Sequence, residues 1–151
     1  MLSVVISDTS CLIVLEKINE LSLLQKIYKE VITTPEVAIE FKKPLPDWIR
    51  IVSAKNQTLQ KELETKLDLG EASAIALGLE TPNCSIVLDD LKARKIAETL
   101  KLDFTGTLGI LVKAKHLNII HSIKPIIQKL HEVGLRFSLE VEREVLRQAK
   151  E

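Results

Sequence analysis

The chain has 151 residues with 21 basic and 21 acidic side chains, so its formal net charge is zero and no global basic field advertises a nucleic-acid-binding module. Apolar residues make up 46% and charged residues 28%, a globular rather than a disordered composition, in a length that suits one domain with a real core. Aromatic residues are only 3%, so stacking platforms for bases are scarce, which leaves open an enzyme that touches a short stretch of backbone.

Val4–Ser7 is a short apolar run of the kind found in strands buried on both faces, and Ser10 is placed to cap a helix over Cys11–Lys17. Leu21–Ile27 reads as a second short helix and Val31–Thr33 as a second strand. Thr34-Pro35 supplies a cap and a first-turn proline for a helix over Pro35–Phe41, which Pro44 and Pro46 separate from an extended segment at Trp48–Val52, near a sheet edge. Leu59 to about Leu79 is helical with a break near Asp68-Leu69-Gly70, and Ala72, Ile75, Ala76 and Leu79 share one helix face. Ser85–Leu88 is a buried strand that ends on Asp89-Asp90, followed by a helix whose face is Ala93, Ile96, Ala97 and Leu100. Leu102–Phe104 is a last short strand, and Gly106 turns the chain into a helix from Thr107 to about Leu117. Ile123, Ile126, Ile127 and Leu130 mark another helix closed by Gly134, and Ser138 caps a final charged helix.

Strands alternating with helices predict an α/β fold, a three-layer α/β/α sandwich around a central parallel sheet. The expected organisation is a single domain over residues 1–151, with 135–151 a C-terminal helical extension. Cys11 and Cys84 sit among apolar neighbours and read as buried free thiols of a reducing cytoplasm, with no CxxC or Cys/His spacing for zinc. There is no basic leader segment and no apolar run near the ~20 residues of a membrane span, so the expected location is the cytoplasm with no membrane partner.

Ligands of such sheets sit at the carboxyl ends of the strands, where Asp8 and the pair Asp89-Asp90 fall. If their strands are neighbours, these carboxylates share one rim and repel, an arrangement that a divalent cation such as Mg²⁺ or Mn²⁺ relieves. Helix capping is the plainer account of strand-end acids. Glu71, in LGEASAIALG, complements a helix dipole at its N-terminus, whereas Glu40, in TPEVAIEF, sits in a last turn where the dipole disfavours an acid. Glu40 is either a solvated surface acid or part of a site.

ISDTSCLI, TPEVAIEF, LGEASAIALG, VLDDLKARKIA and FTGTLGIL, in this order and spacing, closely resemble PIN-domain proteins over Val4 to about Gly134. The chain looks most like a prokaryotic PIN-like nucleic-acid-binding branch related to toxin ribonucleases of the VapC type. The resemblance implies a metal-dependent ribonuclease that hydrolyses RNA to 5′-phosphate and 3′-hydroxyl ends, the toxin of a toxin–antitoxin pair, with an antitoxin protein and a homodimer as expected partners. It places the catalytic acids at Asp8, Glu40, Glu71 and Asp90, with Mg²⁺ or Mn²⁺ on Asp8, Asp90, Glu71 and the adjacent candidate Asp89. Thr9 and Ser10 match hydroxyls that orient the first acid, and Thr107, in GTLG, a hydroxyl near the pocket. The usual Asp-Phe pair after strand four is replaced by Ala93-Arg94, a departure from the common toxin pattern. Lys92, Arg94 and Lys95 could contact flanking phosphates or simply form a solvated helix face.

His116, His121 and His131 lie away from the acid motifs and read as surface or structural residues. A phospho-accepting receiver domain shares the layout, but it expects paired acids after strand one and a lysine after strand five, where this chain has a lone Asp8 and Thr105-Gly106-Thr107. A PIN-like protein that binds RNA or a partner without cleaving is the other alternative. The apolar faces of Leu12–Leu15 and Leu21–Ile27 would be core or, alternatively, partner contacts.

Overall fold

The structure, a computed structural model, describes residues 3–151; Met1 and Leu2, which the sequence assigns to the same domain, lie outside the described residues. The strands β1 (Val4–Ile6), β2 (Glu30–Thr33), β3 (Ile49–Ile51), β4 (Cys84–Val87) and β5 (Phe104–Thr105) form one parallel sheet in the order β3-β2-β1-β4-β5. Every pairing is parallel, and β1 lies between β2 and β4 in the register Ile6↔Ile32 and Ile6↔Ile86.

Alternate strand residues feed two separate cores, because successive side chains point to opposite faces. Val5, Val31 and Val87 pack on one side with helices α1 (Thr9–Lys17), α2 (Ser22–Ile27), α7 (Thr107–His116) and α8 (Lys124–Glu132). Ile6, Ile32 and Ile86 pack on the other with α4 (Gln57–Glu64), α5 (Leu69–Glu80) and α6 (Leu91–Thr99). The chain is therefore an α/β/α sandwich, with α3 (Pro35–Phe41) set against both α1 and α5. Leu12, Leu15, Leu23, Leu24 and Ile27 are all core residues. The final helix α9 (Leu139–Gln148) packs on α7, and Val145 and Ala149 are buried in the first core.

Several local expectations shift. Asp8, not Ser10, caps α1: its extended backbone lets Oδ1 accept from the Cys11 amide, so the helix starts at Thr9. Leu79 is exposed although the helical spacing puts it on the apolar face. Nearly all of α5 from Ala72 to Gly78 is buried instead, so one apolar stripe does not describe it. Its small residues allow that closeness: a Cβ on Gly78 would collide with the Ile86 side chain of β4. The last strand starts at Phe104, because the Leu102 amide is still held by the Ala97 carbonyl. Helix α8 ends at Glu132, and Gly134 follows with φ +94°, the left-handed residue that reverses the chain. Among the described residues no helix is long and apolar enough to cross a membrane. Cys11 and Cys84 are free and buried.

Candidate active site

The sheet order reverses between β1 and β4: from β1 the chain runs outward through β2 and β3, then returns to place β4 and β5 on the other side. A crevice opens at such a point, at the carboxyl ends of the strands. Asp8 and Asp89 follow the two strands that flank it. An open cleft of about 280 Å³ lies there, lined by Asp8, Thr9, Ser10, Ile13, Glu40, Asp68 and Glu71.

The acids are held in place by helix ends. Asp8 caps α1, Asp68 caps α5 by accepting from the Glu71 amide at 2.8 Å, and Asp90 caps α6 by accepting from the Ala93 amide at 3.0 Å. Asp89 reaches across to α7, accepting from the Thr107 amide at 3.0 Å and the Thr107 hydroxyl at 2.6 Å. Four helix N-termini thus end on the carboxylates around this edge, and their dipoles offset part of the mutual repulsion.

The offset is incomplete. Asp8 is 3% exposed, and its pKa is pushed up to about 7, first by burial and then by the charge of Asp89, with Glu71 adding to it. The Cys11 amide and the Ser10 hydroxyl, which donates to Oδ2 at 3.1 Å, act in the opposite direction. Glu71 is also raised to about 7, by burial first and then by Asp68 and Asp90. Behind them the buried Cys11 thiol is held protonated by burial and by the Asp8 charge.

Glu40, the acid disfavoured by its own helix dipole, receives a 2.6 Å hydrogen bond from the Thr9 hydroxyl. Gly70 makes room for that pair: a Cβ there would overlap Glu40 Oε1 and lie 3.0 Å from Thr9 Oγ1. The Thr34 hydroxyl caps α3 and shares a 2.7 Å bond with the buried Ser73 hydroxyl, which donates to the Gly70 carbonyl. The start of α3 is thereby tied to the first turn of α5.

Asp8, Thr9, Ser10, Glu40 and Glu71 therefore line one cleft. Asp89 and Asp90 stand beside it as the charged neighbours of Asp8 and Glu71, respectively, and Thr107 holds Asp89. Lys92 and Lys95 are exposed on α6, whereas Arg94 is half-buried and donates from Nε to the Leu88 carbonyl at 2.6 Å. The three histidines stand outside the cleft; His116 and His131 bond to the Gln148 and Leu135 carbonyls. The sequence reading missed Asp68 and Ile13 as lining residues. Asp68 stands three residues before Glu71, the spacing of a capping acid and a first-turn acid, which was a legible signal.

Hard carboxylate oxygens that are buried together and add to one another's raised pKa values suit a divalent cation. Among the described residues no three His, Cys, Asp or Glu side chains close into a metal cage.

More than one family builds a parallel α/β/α sandwich with an acidic cleft at its switch point, and comparison with known families makes the assignment. A family model described as a PIN domain matches residues 4–151, so the chain belongs to the PIN-domain family. PIN domains are generally nucleases and typically use divalent metal ions. No curated protein and no solved structure gives a significant match.

Proposed function

We propose that this protein is a Mg²⁺- or Mn²⁺-dependent endoribonuclease that hydrolyses RNA phosphodiester bonds, acting as the toxin of a toxin–antitoxin pair. The observation that carries the nuclease reading is the cleft at the switch point of the sheet, where the buried Asp8 carboxyl shares one lining with Glu40 and Glu71 and feels the like charges of Asp89 and Glu71. A fold has no structural use for such repulsion at a buried strand end, whereas a cation site does. The toxin role and the expected antitoxin and homodimer partners rest on the family resemblance alone.

Asp8, Glu71, Asp89 and Asp90 are the residues that would hold the ion. When bound, it would supply positive charge at the attacked phosphate and lower the pKa of water; the 5′-phosphate and 3′-hydroxyl products are what the family resemblance implies. The chain's own groups do the positioning. Ser10 fixes the Asp8 carboxylate, Thr107 fixes Asp89, and Thr9 aims Glu40 into the cleft. Glu40, which lines the cleft and accepts from Thr9 through Oε1, would take a proton from water there. Lys92 and Lys95 offer exposed positive charge to phosphates on either side of the cut.

One observation favours a second reading, a PIN-like protein that binds RNA or a partner without cleaving it: Ala93-Arg94 stands where the resemblance implies an Asp-Phe pair. An RNA cleavage assay on wild type and Asp8→Asn, each with Mg²⁺, Mn²⁺ or EDTA, separates the two. The nuclease reading expects cleavage by wild type with metal and none by the variant or in EDTA. Equal cleavage by both proteins would sink it, and silence from wild type on a broad RNA panel would favour the binding reading.

A further inference from the structure

Acids dominate the cleft, yet a nuclease must hold a polyanion there. Three cations stand on the first turns of α6 beside it, and the structure treats them differently. Lys92 and Lys95 are exposed, and no hydrogen bond or ion pair fixes either ammonium among the described residues. Arg94 is fixed in place. Its Nε donates to the Leu88 carbonyl at 2.6 Å, at the end of β4. Its guanidinium carbon lies 5.5 Å from the centroid of the Phe104 ring on β5, within cation–π range. Gly106 makes space on the remaining side: a Cβ there would overlap Arg94 Nη2 and lie 2.6 Å from Asp89 Oδ1.

The two contacts hold the guanidinium through its Nε edge and one face. The Nη edge has no hydrogen-bond acceptor among the described residues and points into the space that Gly106 leaves beside Asp89. Asp89, whose oxygens receive the Thr107 amide and hydroxyl, makes no hydrogen bond to that edge, although its Oδ1 lies 2.6 Å from the same point beside Gly106 that Arg94 Nη2 crowds. A forked donor with a fixed orientation and a free Nη edge matches the two non-bridging oxygens of a phosphate, which an ammonium on a flexible stem does not. It also costs little side-chain entropy on binding, since the rotamer is already set.

We propose that Arg94 is a preformed phosphate-binding residue on α6 beside the cleft, gripping the RNA backbone at a phosphate that flanks the one attacked. This assignment rests on the nucleic-acid reading above, but it does not require that the protein cut what it binds. Lys92 and Lys95 then contribute only diffuse attraction.

The test is equilibrium binding of a short fluorescent oligouridylate, followed by anisotropy against KCl with Mg²⁺ present. Asp8→Asn serves as the background, so that the probe survives. Arg94→Gln removes the charge while keeping an amide that can reach the Leu88 carbonyl, and Arg94→Lys keeps the charge without the fork. A grip on phosphate predicts that Arg94→Gln binds roughly tenfold more weakly. Its slope of log affinity against log salt falls by about 0.7, the value expected when one phosphate of a single strand is no longer neutralised. Arg94→Lys should keep most of that slope with weaker affinity. Lys92→Gln should change affinity by less than Arg94→Gln does. An unchanged slope in Arg94→Gln, or no binding by the background protein, overturns the assignment. Cleavage by the unmodified protein is scored separately. Its absence removes the nuclease reading and leaves the salt slope to decide on Arg94.

Discussion

Asp8 carries two duties that pull against each other. As a cap it completes α1, and as a buried acid beside Asp89 and Glu71 it is costly to ionise. Its folded pKa of about 7 lies above the ordinary 3.8, so the native state holds its proton more tightly than the unfolded chain does. That contribution to stability is full below about pH 3.8 and is lost as pH rises through about 7. Metal-free wild type should therefore weaken between these values. Asp8→Asn, which can still cap the helix, should be more stable than wild type at pH 8 by about 1–3 kcal/mol in EDTA, while losing cleavage altogether. Thermal melts across pH, with and without Mg²⁺, read both signs: Mg²⁺ should raise the melting temperature of wild type and leave the variant unchanged. Thr9→Val gives a cleaner positioning test. It deletes the only described donor to Glu40, and kcat should fall roughly tenfold with the urea midpoint almost unmoved. A large stability loss without a rate change would show that Thr9 serves the fold instead.

The candidate acids were legible in the sequence because strand ends and helix starts carry plain signals: an apolar run that stops on an acid, and an acid after a glycine. What was not legible was which helix each acid would cap. Ser10 and Asp8 are both good cap residues, and only the extended backbone at Asp8 decides between them. Nor did the sequence show why Glu40 belongs where its own dipole disfavours it, since the reason is a hydroxyl 31 residues away. Contacts of that kind depend on how α1, α3 and α5 approach. Gly70 sets that approach, which makes it a test of the element scale. In Gly70→Ala the added Cβ must displace the Glu40 carboxylate or push the helices apart. Activity should fall tenfold or more, with a stability loss of about 1–3 kcal/mol by urea denaturation. Wild-type activity in this variant would mean that Glu40 has no role in the cleft.

Across the whole molecule, the sandwich and the place of each strand followed from alternation of apolar runs with helical patterns, because parallel strands covered on both faces are largely apolar, while the strand ends shifted by one or two residues. Leu79 and the α5 helix escaped that logic: small residues bury a helix nearly all round, and periodicity cannot report a face when every face is covered. The C-terminal part is joined to the first core by Val145 and Ala149, and by Glu151, whose carboxylate accepts from Ser122, the Ile123 amide and Lys115. Burial raises the pKa of Glu151, but these hydrogen bonds outweigh it and hold the group at about 2, below the ordinary 4.5. The stability it contributes is present above about pH 4.5 and is lost as pH falls toward 2. Glu151→Gln should cost about 1–2 kcal/mol at pH 6 and much less at pH 2, read from urea midpoints at each pH. A pH-independent loss would point to packing instead.

The sharing of acids between helix caps and cleft has a consequence for how this scaffold can age. Asp68 and Asp90 each complete a helix, so a lineage that abandons chemistry still gains from keeping them, or from exchanging them for asparagine or serine. Their persistence is thus poor testimony of an active enzyme. Glu40 completes no helix and sits at the wrong end of its own dipole, so drift would erase it first once the cleft falls idle. Among descendants of this fold, that glutamate is the one whose survival speaks for a working site.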